Sequence, residues 1–104
     1  MIRKDFKTGS GAINYTFDPG CAFQLEEITL HLSAAGGAVE NMTIDIDDAG
    51  GAVYDYRIAT QAMAALIDYE YLPTRPREYW NGDKVLIQYA NTNHMTWGLV
   101  IKFK

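Results

Sequence analysis

The chain has 104 residues, 48% of them apolar and 21% charged, which are the proportions of a globular domain rather than of a disordered or fibrous chain. Its 13 acidic residues against 9 lysines and arginines give a formal net charge of −4, which argues against a nucleic-acid-binding protein. No apolar run approaches the roughly 20 residues that cross a bilayer, so we expect no membrane contact, and we identify no signal peptide.

Runs of alternating apolar and polar residues recur along the chain with a period of two. This spacing places one face of a strand on a core and the other toward solvent. Gly-, Asn- and Asp-rich turns separate the runs, and residues 48–51 predict a hairpin. The rhythm predicts an all-β fold, an antiparallel β-sandwich or jelly roll of about seven or eight strands. The alternating runs are residues 13–17, 27–33, 42–47, 53–58, 84–89 and 95–103.

No linker-like stretch divides the chain, so we expect a single domain over residues 1–104. Residues 1–10 are rich in basic side chains, and we expect them to form a mobile arm. The apolar phase of the runs predicts the core. It includes Ile28, Leu30, Leu32, Ile44, Ile46, Val85, Ile87, Trp97, Leu99 and Ile101.

Two segments break the alternating pattern. The alanines between Thr60 and Leu66 favour one short helical turn, with Thr60 as its N-cap, or an irregular crossover. Pro73 and Pro76 discourage a central strand over residues 72–80, because proline cannot donate to the ladder.

An acidic cluster occupies residues 40–55, which contain no basic residue. Carboxylates in this density suit a Ca²⁺ site, although the spacing does not fit an EF-hand loop. The alternative is a solvated strand face that resists edge pairing. We favour the solvated face and predict no metal and no cofactor. The acids are Glu40, Asp45, Asp47, Asp48 and Asp55.

No catalytic constellation is recognisable. His31 and His94 are distant from each other and fit surface positions, and Ser10 and Ser33 lie beside glycines or turns without a nucleophile elbow. Cys21 has no partner for a disulfide and fits a small buried hydrophobe. The sequence therefore predicts that the protein is not an enzyme.

Aromatic residues concentrate near the two prolines, and two interpretations stay open. The tyrosines can face the core while Trp80 plugs one end of the sandwich, since large aromatics are mostly buried. Alternatively, exposed tyrosine, tryptophan and arginine can form a contact surface, or stack on sugar rings. The cluster consists of Tyr69, Tyr71, Tyr79 and Trp80 around Pro73, Arg75, Pro76 and Arg77.

The order of strands and turns from residue 23 onward resembles small β-sandwich structural proteins of tailed bacteriophages. The resemblance rests on strand rhythm and on the Gly82-Asp83 start of a strand, and residues 1–20 lie outside it. It implies a non-enzymatic virion component, such as a capsid decoration or minor virion protein. The segments that carry it are residues 23–33, 40–47, 51–55, 81–91 and 97–101.

The expected partners are other virion proteins, namely the major capsid protein or copies of this chain. An alternative function is a carbohydrate-binding β-sandwich module, with Tyr79, Trp80 and Tyr71 as the stacking platform. For protein contacts, we predict residues of the 71–80 segment and of the basic N-terminal arm. They are Tyr71, Arg75, Arg77, Tyr79 and Trp80, together with Arg3 and Lys4.

Overall fold

A computed structural model describes residues 1–75 and 77–104, so Pro76 lies outside the described residues. The described residues form nine strands and one 3₁₀ turn. The elements are β1 (Arg3–Gly9), β2 (Ile13–Phe17), β3 (Phe23–Leu32), β4 (Asn41–Asp47), the 3₁₀ turn (Ala52–Tyr54), β5 (Tyr56–Ala62), β6 (Asp68–Tyr71), β7 (Arg77–Tyr79), β8 (Lys84–Tyr89) and β9 (Trp97–Phe103).

The strands form two antiparallel sheets, so the predicted all-β class is confirmed. The first sheet has the order β1-β9-β3-β6, with β7 also paired to β3, and the second has the order β2-β8-β4-β5. Strands β1 and β2 are therefore edge strands on one side of the molecule. Strands β5, β6 and β7 are edge strands on the opposite side, and this arrangement positions the surfaces described below.

The core lies between the sheets, in a sandwich-like arrangement. Every core position predicted from the alternation is buried, including Trp97 at 9% exposure. Aromatic packing joins the sheets: the ring of Phe17 on β2 lies 5.5 Å from that of Phe23 on β3 and 4.7 Å from that of Phe103 on β9. Edge-to-face pairs of this kind add to the stabilisation from apolar burial.

The helical turn predicted at residues 60–66 is wrong. Thr60 and Ala62 belong to β5 and pair with Thr43 and Asn41 of β4. Strand pairing with a neighbour outweighs the helix preference of a few alanines, because propensity is a weak local effect. The crossover alternative is confirmed, since residues 63–67 carry the chain from the second sheet to the first.

The basic arm also differs from expectation. Residues 3–9 form β1, which pairs with β9 along its whole length, from Arg3 opposite Phe103 to Gly9 opposite Trp97. The hydroxyl of Tyr15 on β2 donates a hydrogen bond to the carboxylate of Asp5, which ties β1 to the second sheet. Most of residues 1–10 is therefore an edge strand and not a free arm.

Candidate functional site

A surface groove of about 430 Å³ opens where the edges of the two sheets meet. It lies between the start of β5, the end of β7 and the two loops that follow β4 and β7. We call it the aromatic groove. Its main lining residues are Asp48, Tyr54, Tyr56, Glu78, Tyr79 and Trp80.

Trp80 projects from this surface and is 82% exposed. A second depression of about 520 Å³ lies on its other side and also contacts Glu78 and Tyr79. Tyr54 and Tyr56 are 62% and 44% exposed. Large aromatic side chains offer broad contact area with little entropy loss on binding, so this cluster has the composition of a contact surface.

The carboxylate of Asp83 fixes the position of Trp80. It is 7% exposed and accepts hydrogen bonds from the backbone N–H groups of Trp80 and Ala49, each at 2.8 Å. Gly82 adopts φ 98° in this turn, a conformation that glycine takes without strain. One buried carboxylate thus joins the β7–β8 turn to the loop after β4, and the groove is held in shape before any partner arrives.

Asp48 organises the opposite wall of the groove. Its carboxylate accepts the N–H of Gly50 at 2.7 Å, and its own N–H donates to Asp55 at 2.8 Å. These short-range bonds are the turn chemistry expected of aspartate. Both loops that border the aromatic groove are therefore held by side-chain acceptors.

The floor of the groove includes Tyr79, which is 7% exposed. Its ring packs against Phe23 with centroids 5.3 Å apart. Burial is the main cause that raises the pKa of the Tyr79 hydroxyl, and the neighbouring side chain of Tyr56 is the second. The nearby Arg77 lowers this pKa and so opposes the shift. Neither neighbour makes a well-formed hydrogen bond, so within the described residues this buried hydroxyl has no partner.

The groove is acidic. Asp48, Glu78 and Asp83 line it, and among the described residues no lysine or arginine does. Asp45 lies in a neighbouring cleft, where it forms an ion pair with Arg57 at 2.8 Å. Across the described part of the chain, no group of three or more histidine, cysteine or acidic side chains could hold a metal ion.

The structure separates the contact residues predicted from the sequence. Tyr71 and Tyr79 are buried at 9% and 7% exposure, so neither projects toward a partner, and Tyr79 reaches the surface only as the floor of the groove. Trp80 is exposed, so its interpretation as a core plug is wrong. Arg75 is exposed and Arg77 is half-buried.

The remaining predicted residues, Arg3 and Lys4, lie on β1 at the opposite side of the molecule. We call the exposed cluster of Arg3, Lys4, Phe6 and Lys7 the basic edge. The Arg3 guanidinium lies 4.5 Å from the ring centre of Phe103, and the Lys7 ammonium lies 5.1 Å from that of Tyr15. Phe6 is 65% exposed on the outer face.

Sequence reasoning missed three contributors to the aromatic groove. Tyr54 and Tyr56 share one phase of the alternating run over residues 53–58, but a 3₁₀ turn and the edge position of β5 leave both exposed. In the sequence, Asp83 stands out only as part of the Gly82-Asp83 start of a strand. The available signal was the Asn81-Gly82-Asp83 turn directly after Trp80, since aspartate in turns often accepts backbone hydrogen bonds.

Comparison of the chain with protein-family models gives no match, and comparison with curated proteins gives no related sequence. Within the described residues, no helix has the length and apolar character needed to cross a membrane.

Proposed function

We propose that this protein is a non-enzymatic structural component of a tailed-bacteriophage virion, either a capsid decoration or a minor head or tail protein. It acts through contacts with the major capsid protein or with copies of itself. The observation that carries the proposal is the aromatic groove, where Trp80 stands 82% exposed on a turn that Asp83 holds in place. A preorganised aromatic anchor favours binding because little order has to be created on contact.

We further propose that the two sheets form a jelly roll. Supporting this, the hydrogen-bonded pairs are nested: β1 with β9, β2 with β8, β3 with β6 and β7, and β4 with β5. A long antiparallel ribbon that is rolled up once gives such pairs, and the rolled form is common in viral capsid and lectin domains. The fold alone is compatible with a virion protein and with a carbohydrate-binding module. The choice between these two functions therefore depends on the chemistry of the groove.

The chemistry of the groove favours binding over catalysis. Two of its three carboxylates, those of Asp48 and Asp83, already accept backbone N–H groups. Its described lining contains no histidine, cysteine or serine to act with the remaining Glu78 as a nucleophile or base. A surface with exposed aromatic side chains, whose carboxylates are mostly engaged in backbone hydrogen bonds, is suited to binding a partner.

The experiment is a copy-number measurement on purified phage particles by quantitative mass spectrometry. Wild-type protein should be present in stoichiometric copies, and Trp80→Ala should lower the copy number about tenfold, as loss of a 1.4 kcal/mol contact would. Val39→Ala, which removes an apolar side chain that is 100% exposed elsewhere, is the matched control. Absence of the wild-type protein from particles would refute the proposal.

A second candidate, a carbohydrate-binding module, is favoured by one observation: exposed Trp80, Tyr54 and Tyr56 lie beside hydrogen-bond acceptors. This platform differs from the predicted one, because Tyr71 and Tyr79 are buried. Pull-down on insoluble neutral polysaccharides, with Trp80→Ala as the negative control, tests this function. Binding that depends on Trp80 would favour the module, and equal recovery of both proteins would exclude this platform.

A further inference from the structure

We propose that the basic edge of one copy docks on the aromatic groove of a second copy, so that identical chains join head to tail. The inference rests on the proposed function as a repeated subunit, and it specifies which two surfaces join neighbouring copies. The groove's occupant would be β1 of the next copy.

The two surfaces lie on opposite sides of the fold. Strand β1 is one edge of the first sheet, whereas β7 pairs on the far side of β3, and the groove opens between β7 and β5. A molecule that carries complementary surfaces on opposite edges cannot satisfy both with a single partner. Each copy would therefore contact two neighbours, which is a heterologous interface.

The charges of the two surfaces are opposite. The basic edge carries Lys4 on its outer face and Arg3 and Lys7 on its inner face, where Asp5 between them is hydrogen-bonded to Tyr15. The ion pairs found among the described residues involve none of the three cations. The aromatic groove presents Asp48 and Glu78 without a lining cation in the described residues. Electrostatic complementarity selects partners and orientation.

Both surfaces also expose apolar area. Phe6 and Ile2 are 65% and 50% exposed at the basic edge, and Trp80 and Tyr54 are 82% and 62% exposed at the groove. An arginine or lysine side chain stacked on tryptophan or tyrosine gains a cation–π contact. The cations of one surface and the aromatic rings of the other therefore match in chemistry as well as in charge.

Contacts between like surfaces are disfavoured. Two basic edges would bring lysines and arginines together, and two grooves would bring carboxylates together. Strand β1 is further protected from strand-to-strand pairing, because Arg3, Asp5 and Lys7 alternate along its inner face. Charges pointing inward on an edge strand are a known protection against edge-to-edge pairing. The contact would thus be made by side chains and between unlike surfaces.

The test uses the full chain and sedimentation velocity over a range of protein concentrations. The basic-edge variant carries Lys4→Glu and Phe6→Ala, and the groove variant carries Glu78→Lys and Trp80→Ala. Each variant retains one intact surface, so each should be monomeric alone, and an equimolar mixture should give a heterodimer that does not grow further. Wild-type protein should form larger species that dissociate as salt screens the charges.

A control variant carries Lys84→Glu and Val39→Ala, two positions that belong to neither surface. It makes the same change in charge as the basic-edge variant and also removes an exposed apolar side chain. It should associate like the wild type, and circular dichroism confirms that every variant is folded. A monomeric wild type, unimpaired association of either variant, or a mixture that stays monomeric would overturn the inference. Stoichiometric protein in particles together with a monomeric wild type would refute the head-to-tail contact while the proposed function stands.

Discussion

Replacing Asp83 by asparagine should destabilise the protein and loosen the aromatic groove. The carboxylate accepts two backbone N–H groups at 2.8 Å, whereas an asparagine amide has one oxygen and turns its NH₂ group toward the second donor. Hydrogen bonds to charged groups contribute about 1.5–3 kcal/mol each. We expect the free energy of unfolding to fall by about that amount, because one of the two bonds is lost while the other is retained.

Urea unfolding followed by circular dichroism measures this change. A loss of 1 kcal/mol corresponds to roughly 4–8 °C in the melting temperature of a domain of this size, so a thermal scan also resolves it. Asp18→Asn is the matched control, because the carboxylate of Asp18 accepts a single exposed N–H, that of Gly20, at 3.2 Å. If the two variants lose the same small amount of stability, the reasoning that Asp83 joins the two loops is incorrect.

Three further changes test other parts of the structure. Ile44→Ala should cost about 2–5 kcal/mol in chemical unfolding, because Ile44 is fully buried, and a smaller loss would contradict its core position. Tyr79→Phe should leave stability unchanged or raise it by up to about 1 kcal/mol, because the hydroxyl it removes is buried without a partner, and a clear loss would reveal a bond there. The hydrogen bond with Glu27 raises the pKa of Glu70 in the folded protein. The protonated Glu70 therefore stabilises the fold below the pKa of the unfolded state, and this stabilisation is lost as pH rises through the pKa of the folded state. Glu70→Gln keeps a donor at every pH, so its melting temperature should exceed that of the wild type increasingly between about pH 4 and pH 7, with Glu78→Gln as the control.

The strands that the sequence predicts correctly have one strictly apolar phase. In β8, for example, Val85, Ile87 and Tyr89 are all buried, as the alternation requires. The sequence does not predict strand β1, because the positions that face inward are the charged residues Arg3, Asp5 and Lys7. An edge strand of this kind lacks the apolar phase by which strands are recognised in a sequence.

The candidate site was harder to predict because its parts come together only through the sheet order. The sequence predicts Trp80 as a contact residue. Its neighbour in the groove, Tyr54, is 26 positions earlier in the chain and lies in the connection between β4 and β5 of the second sheet. The roles of Tyr79 as a floor residue and of Trp80 as a projecting one depend on the register of β7 against β3, in which Tyr79 lies opposite Phe23. A one-residue shift of that register would turn Tyr79 away from the core, because neighbouring strand residues face opposite sides.

The position of the last two strands has a consequence for how the protein is made. Strand β9 lies between β1 and β3, and β8 lies between β2 and β4. In each sheet, one central strand is therefore later in the chain than both of the strands it pairs with. During synthesis, β4 can pair with β5, and β3 with β6 and β7, before the chain is finished. The edges of β1, β2, β3 and β4 that pair with β8 and β9 stay open until residues 84–103 have been made. Folds dominated by such distant pairings form slowly, in about milliseconds to seconds. We therefore expect the nascent chain to acquire its fold only after translation has passed β9, and to depend until then on chaperones to cover its apolar strand faces.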